Sequence, residues 1–87
     1  MEIEFDPDKD AANIAKHGLS LADAGMIDLP RAAVMVDARI DYGEVRYRAF
    51  GRIGDEGYCL AFTLRANVLR PISFRRAHEK EMKRYGK

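Results

Sequence analysis

The chain predicts a small α+β domain, an antiparallel sheet preceded by two helices and followed by a short one, with the helices packed on one face of the sheet. Three observations predict it. Period-two strand patterns broken by turn residues fill residues 45 to 75. Helix start and stop signals stand at Asp6-Pro7 and at Gly18. Eighty-seven residues suffice for one domain with one modest core, taken as residues 1–87.

Glu2 to Phe5 alternates polar and apolar side chains and predicts a short strand. Asp6 is suited to cap the helix that follows, and Pro7 at its first position loses no needed hydrogen bond. That helix runs to His17, with Ala11, Ala12, Ile14 and Ala15 as its packing surface, and Gly18 ends it. A second helix is expected from Ser20, with Ser20 and Asp23 at capping-box spacing, Leu21, Ala24 and Ile27 inward, and Leu29-Pro30 as its stop. Ala33 to Val36 is a brief strand or extended link, and Asp37 to Glu44 a polar loop.

Val45 to Ile53 reads as a strand with Arg46, Arg48, Phe50 and Arg52 on one side and Val45, Tyr47, Ala49, Gly51 and Ile53 on the other. Gly54 to Gly57 is a hairpin turn. Tyr58 to Leu64 is apolar on both faces, as a central strand should be. Arg65-Ala66-Asn67 turns the chain into a last strand, Val68 to Arg75, where Pro71 requires an edge or a bulge. His78 to Tyr85 forms a short basic helix, in which Glu81 has the spacing to pair with Arg84.

Charge is unevenly spread. Residues 1–64 hold seven Lys and Arg against twelve Asp and Glu, a net of −5, whereas residues 65–87 hold eight against two, a net of +6. Such asymmetry suits a polyanion such as RNA at the basic end, unless the two halves simply neutralise one another in the fold. No stretch is apolar enough to span a membrane, the acidic N-terminus lacks a signal-peptide layout, and one cysteine, Cys59, excludes an internal disulfide. The expected compartment is the cytoplasm.

Cutting RNA without a metal needs a group to take the 2′-hydroxyl proton, cations to hold the phosphate, and a group to protonate the leaving oxygen. The sequence shows no metal-ligand cluster, so no metal or other cofactor is expected. Arg65, Arg75 and Arg76 are the first candidates for the phosphate, and Arg75 and Arg76, as strand neighbours, should face opposite ways. Arg70 extends this basic strand. His17 is a candidate acid or base, its charged form favoured by the helix C-terminus, with a structural cap as the alternative. Lys9 and Lys16 can reach RNA from the first helix. Arg46 and Arg48, with Arg52, extend an RNA track, receive an acidic partner, or pair with Asp37, Asp41 and Glu44.

Several segments together resemble a known family. They are Ile3-Glu4-Phe5-Asp6-Pro7-Asp8-Lys9, Asn13, Lys16-His17-Gly18-Leu19-Ser20, Tyr42-Gly43-Glu44 with Arg46, Gly51-Arg52, Phe62-Thr63 with Arg65, and Ile72-Ser73-Phe74-Arg75-Arg76-Ala77 with Glu81 and Tyr85. In order and spacing the chain resembles the BrnT family, toxins of bacterial type II toxin–antitoxin pairs. The resemblance implies a RelE-like fold and a ribonuclease activity that halts translation. It implies a BrnA-like antitoxin, a DNA-binding protein of ribbon-helix-helix type, which forms a hetero-oligomer with the toxin and carries it to operator DNA. Tyr85 resembles the C-terminal tyrosine that RelE-like toxins place near the scissile phosphate, with core packing against Met82 as the alternative. The chain departs from the pattern at Phe5, where tryptophan is common, and at Pro71, where an aliphatic residue is usual. The competing reading is a non-catalytic module that docks nucleic acid or a partner.

Overall fold

The computed structural model describes residues 2–39 and 41–86. Its first helix, α1 (Pro7–His17), has the expected ends. The Asp6 carboxylate accepts from the Asp8 N–H at 2.8 Å, and Gly18, at φ 72°, returns its N–H to the Ile14 carbonyl. The docking face differs from expectation. Ala11, Ala12, Ile14 and Ala15 are exposed, and the buried residue of α1 is Asn13. Its amide donates to the carbonyls of Leu19 and Phe74, both at 2.8 Å, and accepts from the Phe74 N–H at 3.0 Å. The helix is fastened by a polar clamp because three hydrogen bonds satisfy one buried amide.

The expected second α-helix is replaced by two 3₁₀ segments, Leu21–Met26 and Leu29–Arg31, with Pro30 inside the second rather than ending the first. Leu21, Ala24 and Ile27 are buried as expected, but they recur every three residues, the 3₁₀ period. Ser20 caps Ala22 rather than forming a capping box. The Asp10 carboxylate in α1 completes that end, accepting from the Ser20 hydroxyl and the Leu21 N–H.

Four strands follow, β1 (Ala33–Val36), β2 (Tyr47–Ile53), β3 (Glu56–Arg65) and β4 (Val68–Arg76), in one antiparallel sheet of that order. The β2–β3 turn is the two residues Gly54-Asp55, so Glu56 and Gly57 belong to β3. Ala66 and Asn67 both take positive φ in the β3–β4 turn, the geometry that matches strand twist. At Pro71 both expectations hold. β4 is an edge strand, and its pairing slips between Ala61↔Ser73 and Phe62↔Pro71, leaving Ile72 as the extra residue.

The outer rim of β4 is guarded. The N-terminal segment makes one parallel bridge, Ile3↔Leu69, in place of the expected strand, and Asn13 occupies both backbone groups of Phe74. Among the described residues nothing pairs with the outer rim of β1, where Val34 and Val36 are exposed.

The helices do not share one face. α1 and the 3₁₀ segments cover a closed face built on Leu21, Ala24, Ile27, Ala49, Leu60, Phe62, Leu69 and Phe74. Burying each of its larger side chains is worth about 2 kcal/mol. The last helix, α2 (Glu79–Tyr85), crosses the opposite face and buries Met82 against Phe50, Cys59 and Ala77. It sits close because β3 has glycine beneath it, and a Cβ at Gly57 would overlap Met82. α2 covers one end of that face and leaves the remainder open.

Candidate nucleic-acid interface

Strand alternation places Arg48 and Phe50 of β2, Cys59 and Ala61 of β3, and Ser73 and Arg75 of β4 on the open face, with Arg46 just before β2. Tyr85, from the end of α2, stacks on Phe50 with ring centroids 5.0 Å apart. Arg75 grips Glu81 through two hydrogen bonds of 2.8 Å and also donates to the Arg76 carbonyl. These bonds, with a further one from the His78 N–H, hold the Glu81 carboxyl at about 2, below its ordinary 4.5. The expected Glu81–Arg84 pair is therefore not formed. A two-pronged partner from β4 displaces a one-turn neighbour.

That exchange changes the inventory of cations. Arg31, Arg39, Arg52, Arg65, Arg70, Arg75 and Arg76 each meet a carboxylate. Among the described residues Arg48 and Arg84 form no ion pair, and both stand against Tyr85. The Arg48 guanidinium lies 5.6 Å from the Tyr85 ring centre and 5.7 Å from that of Phe50, and Arg84 lies 5.2 Å from Tyr85. Arg48 makes only a long contact to the Met35 sulfur at 3.9 Å, and its buried Nε has no hydrogen-bond partner. Two cations are held by ring faces, which leave their N–H groups available. Arg46 is intermediate, with the Tyr42 ring at 3.8 Å and a loose 3.9 Å approach to Glu44.

The loop after β1 contributes a pair that the sequence did not suggest, since Asp37, expected as a partner for Arg46, Arg48 or Arg52, holds Arg39 instead. Asp37 is buried, 6% exposed, beside Met35 on the open face, and its N–H donates to the Arg46 carbonyl at 2.7 Å. Its carboxylate holds Arg39 in a fork, Nε to Oδ1 and Nη2 to Oδ2, both 2.8 Å, and faces the Tyr42 hydroxyl at 3.5 Å. The fork lowers the Asp37 pKa despite burial. Burial pushes the Cys59 thiol up, while the charges of Arg75, Arg48 and Arg39 pull it down. Three guanidinium groups thus bear on one spot of the sheet floor. The available signal was Asp37 and Arg39 two residues apart in a polar loop, which says nothing of where the loop folds.

The remaining candidates lie elsewhere. Arg65 pairs with Glu44 and Arg70 with Glu4, at the far end of the sheet from Arg75. They share with Lys9, Glu4, Asp6 and Glu44 a cleft of about 90 Å³ whose charges balance. Arg76 faces the other way, pairing with Glu56 and standing 5.6 Å from the Tyr58 ring, so strand neighbours do alternate. Lys9, Lys16 and His17 line a groove of about 250 Å³ between α1 and the bulge at Ile72-Ser73. Contrary to the helix-end expectation, the His17 pKa is lowered, by burial and by the charges of Lys16 and Arg75. Among the described residues no group of three or more His, Cys, Asp or Glu is placed to hold a metal ion, and no helix is long and apolar enough to cross a membrane.

A family model described as ribonuclease toxin, BrnT, of type II toxin–antitoxin system matches residues 5–81. The crystal structure of the ribonuclease toxin BrnT of Brucella abortus superposes with a TM-score of 0.67 at 30% sequence identity, over 90% of this chain and 97% of that one. A search of curated proteins finds no match.

Proposed function

The chain belongs to the BrnT family of ribonuclease toxins of type II toxin–antitoxin systems, and from that premise we propose that it is a metal-independent endoribonuclease whose reaction centre is the open face around Tyr85. The observation that carries this reading is the pair of guanidinium groups without carboxylate partners, Arg48 and Arg84, that flank one phenol. A carboxylate-paired arginine already has a counter-ion. Arg48 and Arg84 still have charge to offer to a phosphate.

In the proposed reaction the 2′-oxygen attacks the adjacent phosphorus, the bond from phosphorus to the 5′-oxygen breaks, and a 2′,3′-cyclic phosphate and a 5′-hydroxyl result. Negative charge grows on the phosphoryl oxygens on the way, which is where guanidinium groups lower the barrier. Tyr85 supplies the proton to the leaving oxygen. Lys9, Lys16 and His17 lead the RNA strand to the open face along the α1 groove, and water takes the 2′-hydroxyl proton. Arg65, Arg70 and Arg76 are left to structural pairing.

Residues 1–87 act as one toxin domain in this reading. RNA cleavage stops translation in the cytoplasm. Family membership brings with it an antitoxin. We assign that role to a BrnA-like, ribbon-helix-helix DNA-binding protein that neutralises the toxin in a hetero-oligomer and supplies all contact with operator DNA.

The test is cleavage of end-labelled RNA in EDTA by protein refolded free of any partner, beside Arg48→Ala and Tyr85→Phe. Fragments from the wild type that are reduced in both variants support the proposal. Intact RNA with a natively folded wild type, in buffer and in a translation extract, turns the reading to a docking module.

A further inference from the structure

We propose that Arg39 is a phosphate-binding residue of the same RNA site and that Asp37 is its positioning residue. This rests on the reading of the open face as an RNA surface. The geometry separates the two partners of the fork. Asp37 is almost wholly enclosed, its side chain 4% exposed, whereas the Arg39 side chain is 64% exposed. The fork uses the Nε hydrogen and one Nη2 hydrogen, so three of the five guanidinium N–H groups point away from Asp37.

A lone surface arginine loses rotamer freedom when it binds phosphate, and this one has already lost it. The anchor is itself fixed, by its N–H on the Arg46 carbonyl and by the Tyr42 hydroxyl, which approaches the Oδ2 that also accepts from Arg39. Tyr42 in turn lies under the Arg46 guanidinium. One loop therefore orders Arg39 and Arg46 along the β2 margin of the face that holds Arg48. The position of Arg39 suits a phosphate flanking the scissile one, since its net charge is partly spent on Asp37 while its hydrogen-bonding edge is free.

Asp37→Asn gives the decisive sign. Removing a negative charge beside a basic face should tighten RNA binding if Asp37 is only a local charge. It should weaken binding if the fork is what aims Arg39. The probe is a fluorescent RNA oligomer with every 2′-hydroxyl methylated, which can bind but cannot be cut by 2′-oxygen attack. Its affinity is measured over a series of salt concentrations, and the unmodified oligomer is used for cleavage.

We expect Arg39→Ala to weaken binding about tenfold and to lower the salt slope by about 0.7, the share of one single-strand phosphate. Arg39→Lys restores the slope but not the affinity, because it keeps the charge and loses the fork. Asp37→Asn weakens binding about fivefold. In cleavage these variants raise KM with kcat within about twofold, the mark of binding shared by ground and transition states. Arg31→Ala, an exposed arginine of a 3₁₀ segment paired with Asp28, is the control.

A wild type that binds and cuts, with Arg39→Ala unchanged in slope or with a folded Asp37→Asn that binds as tightly or more tightly, overturns the assignment and spares the RNA site. A wild type that neither binds nor cuts overturns both. Thermal melts report folding. If Asp37→Asn does not fold, the two Arg39 variants, at an exposed side chain, decide the question.

Discussion

The two faces of the sheet are built from the same strands and obey different rules. On the closed face Ala49, Leu60, Leu69 and Phe74 meet the 3₁₀ segments without charge, and the polar group there, Asn13, has its three hydrogen bonds. On the open face Arg48 and Phe50 stand on either side of Ala49 in sequence, and the ordering comes from forks and ring contacts. Alternation by one residue along β2 thus divides the labour. One set of side chains supplies folding energy, and the next set supplies charge whose solvation the small α2 cluster only partly removes. The lesson is that a sheet this small keeps chemistry and stability apart by side rather than by region.

Variants test that division in order of expected effect. Phe74→Ala, at a residue 1% exposed on the closed face, should cost about 4 kcal/mol of stability in urea unfolding. At a temperature where it is folded, its cleavage rate should stay close to that of the wild type. Arg48→Ala should show the opposite pattern, with cleavage reduced about 100-fold, equivalent to about 3 kcal/mol of transition-state stabilisation, and stability changed by less than about 1 kcal/mol. Equal losses on both measures in either variant would break the comparison.

A smaller effect separates the faces by pH. Glu81 titrates at about 2 in the fold against an ordinary 4.5, so its contribution is fully present above about 4.5 and is lost as pH falls through about 2. Glu81→Gln should therefore lower stability at pH 6 and make little difference at pH 2, as urea melts at the two values will show. The smallest effect is expected at Arg65, which Glu44 already neutralises. Arg65→Ala should lower cleavage about threefold at most, far less than Arg48→Ala in the same assay.

Local signals were legible where local physics decides. Asp6, Pro7 and Gly18 delimit α1 because caps depend on a few neighbouring atoms. The meander and the slip at Pro71 follow from period-two patterning and a missing N–H. Where a distant partner outbids a near one, the sequence misleads. The alanines of α1 looked like its packing face, yet Asn13 reaches β4, sixty-one residues away, and docks the helix instead. Glu81 has Arg84 at helical spacing, yet Arg75 offers two parallel hydrogen bonds. Of the candidate site residues, Arg48, Arg75 and Tyr85 do converge on the open face. Arg65 and Arg76 are separated from it, by the length of β4 and by strand alternation. Arg84 and Arg39 come to it only through tertiary placement of α2 and of the loop after β1.

The guarded rim of β4 has a consequence for assembly. Glu2, Glu4 and Asn13 take up hydrogen-bonding groups on that side, so among the described residues the rim of β1 is the edge left open to a new strand. Two copies joined there through a twofold axis would each use up the free rim, and the combined sheet would end on guarded strands in both directions. Such an object terminates at two. An open fibre needs two adhesive edges, and on the β4 side the backbone groups it would use at Leu69 and Phe74 are already taken, so the short amide at position 13 is part of an end-stop.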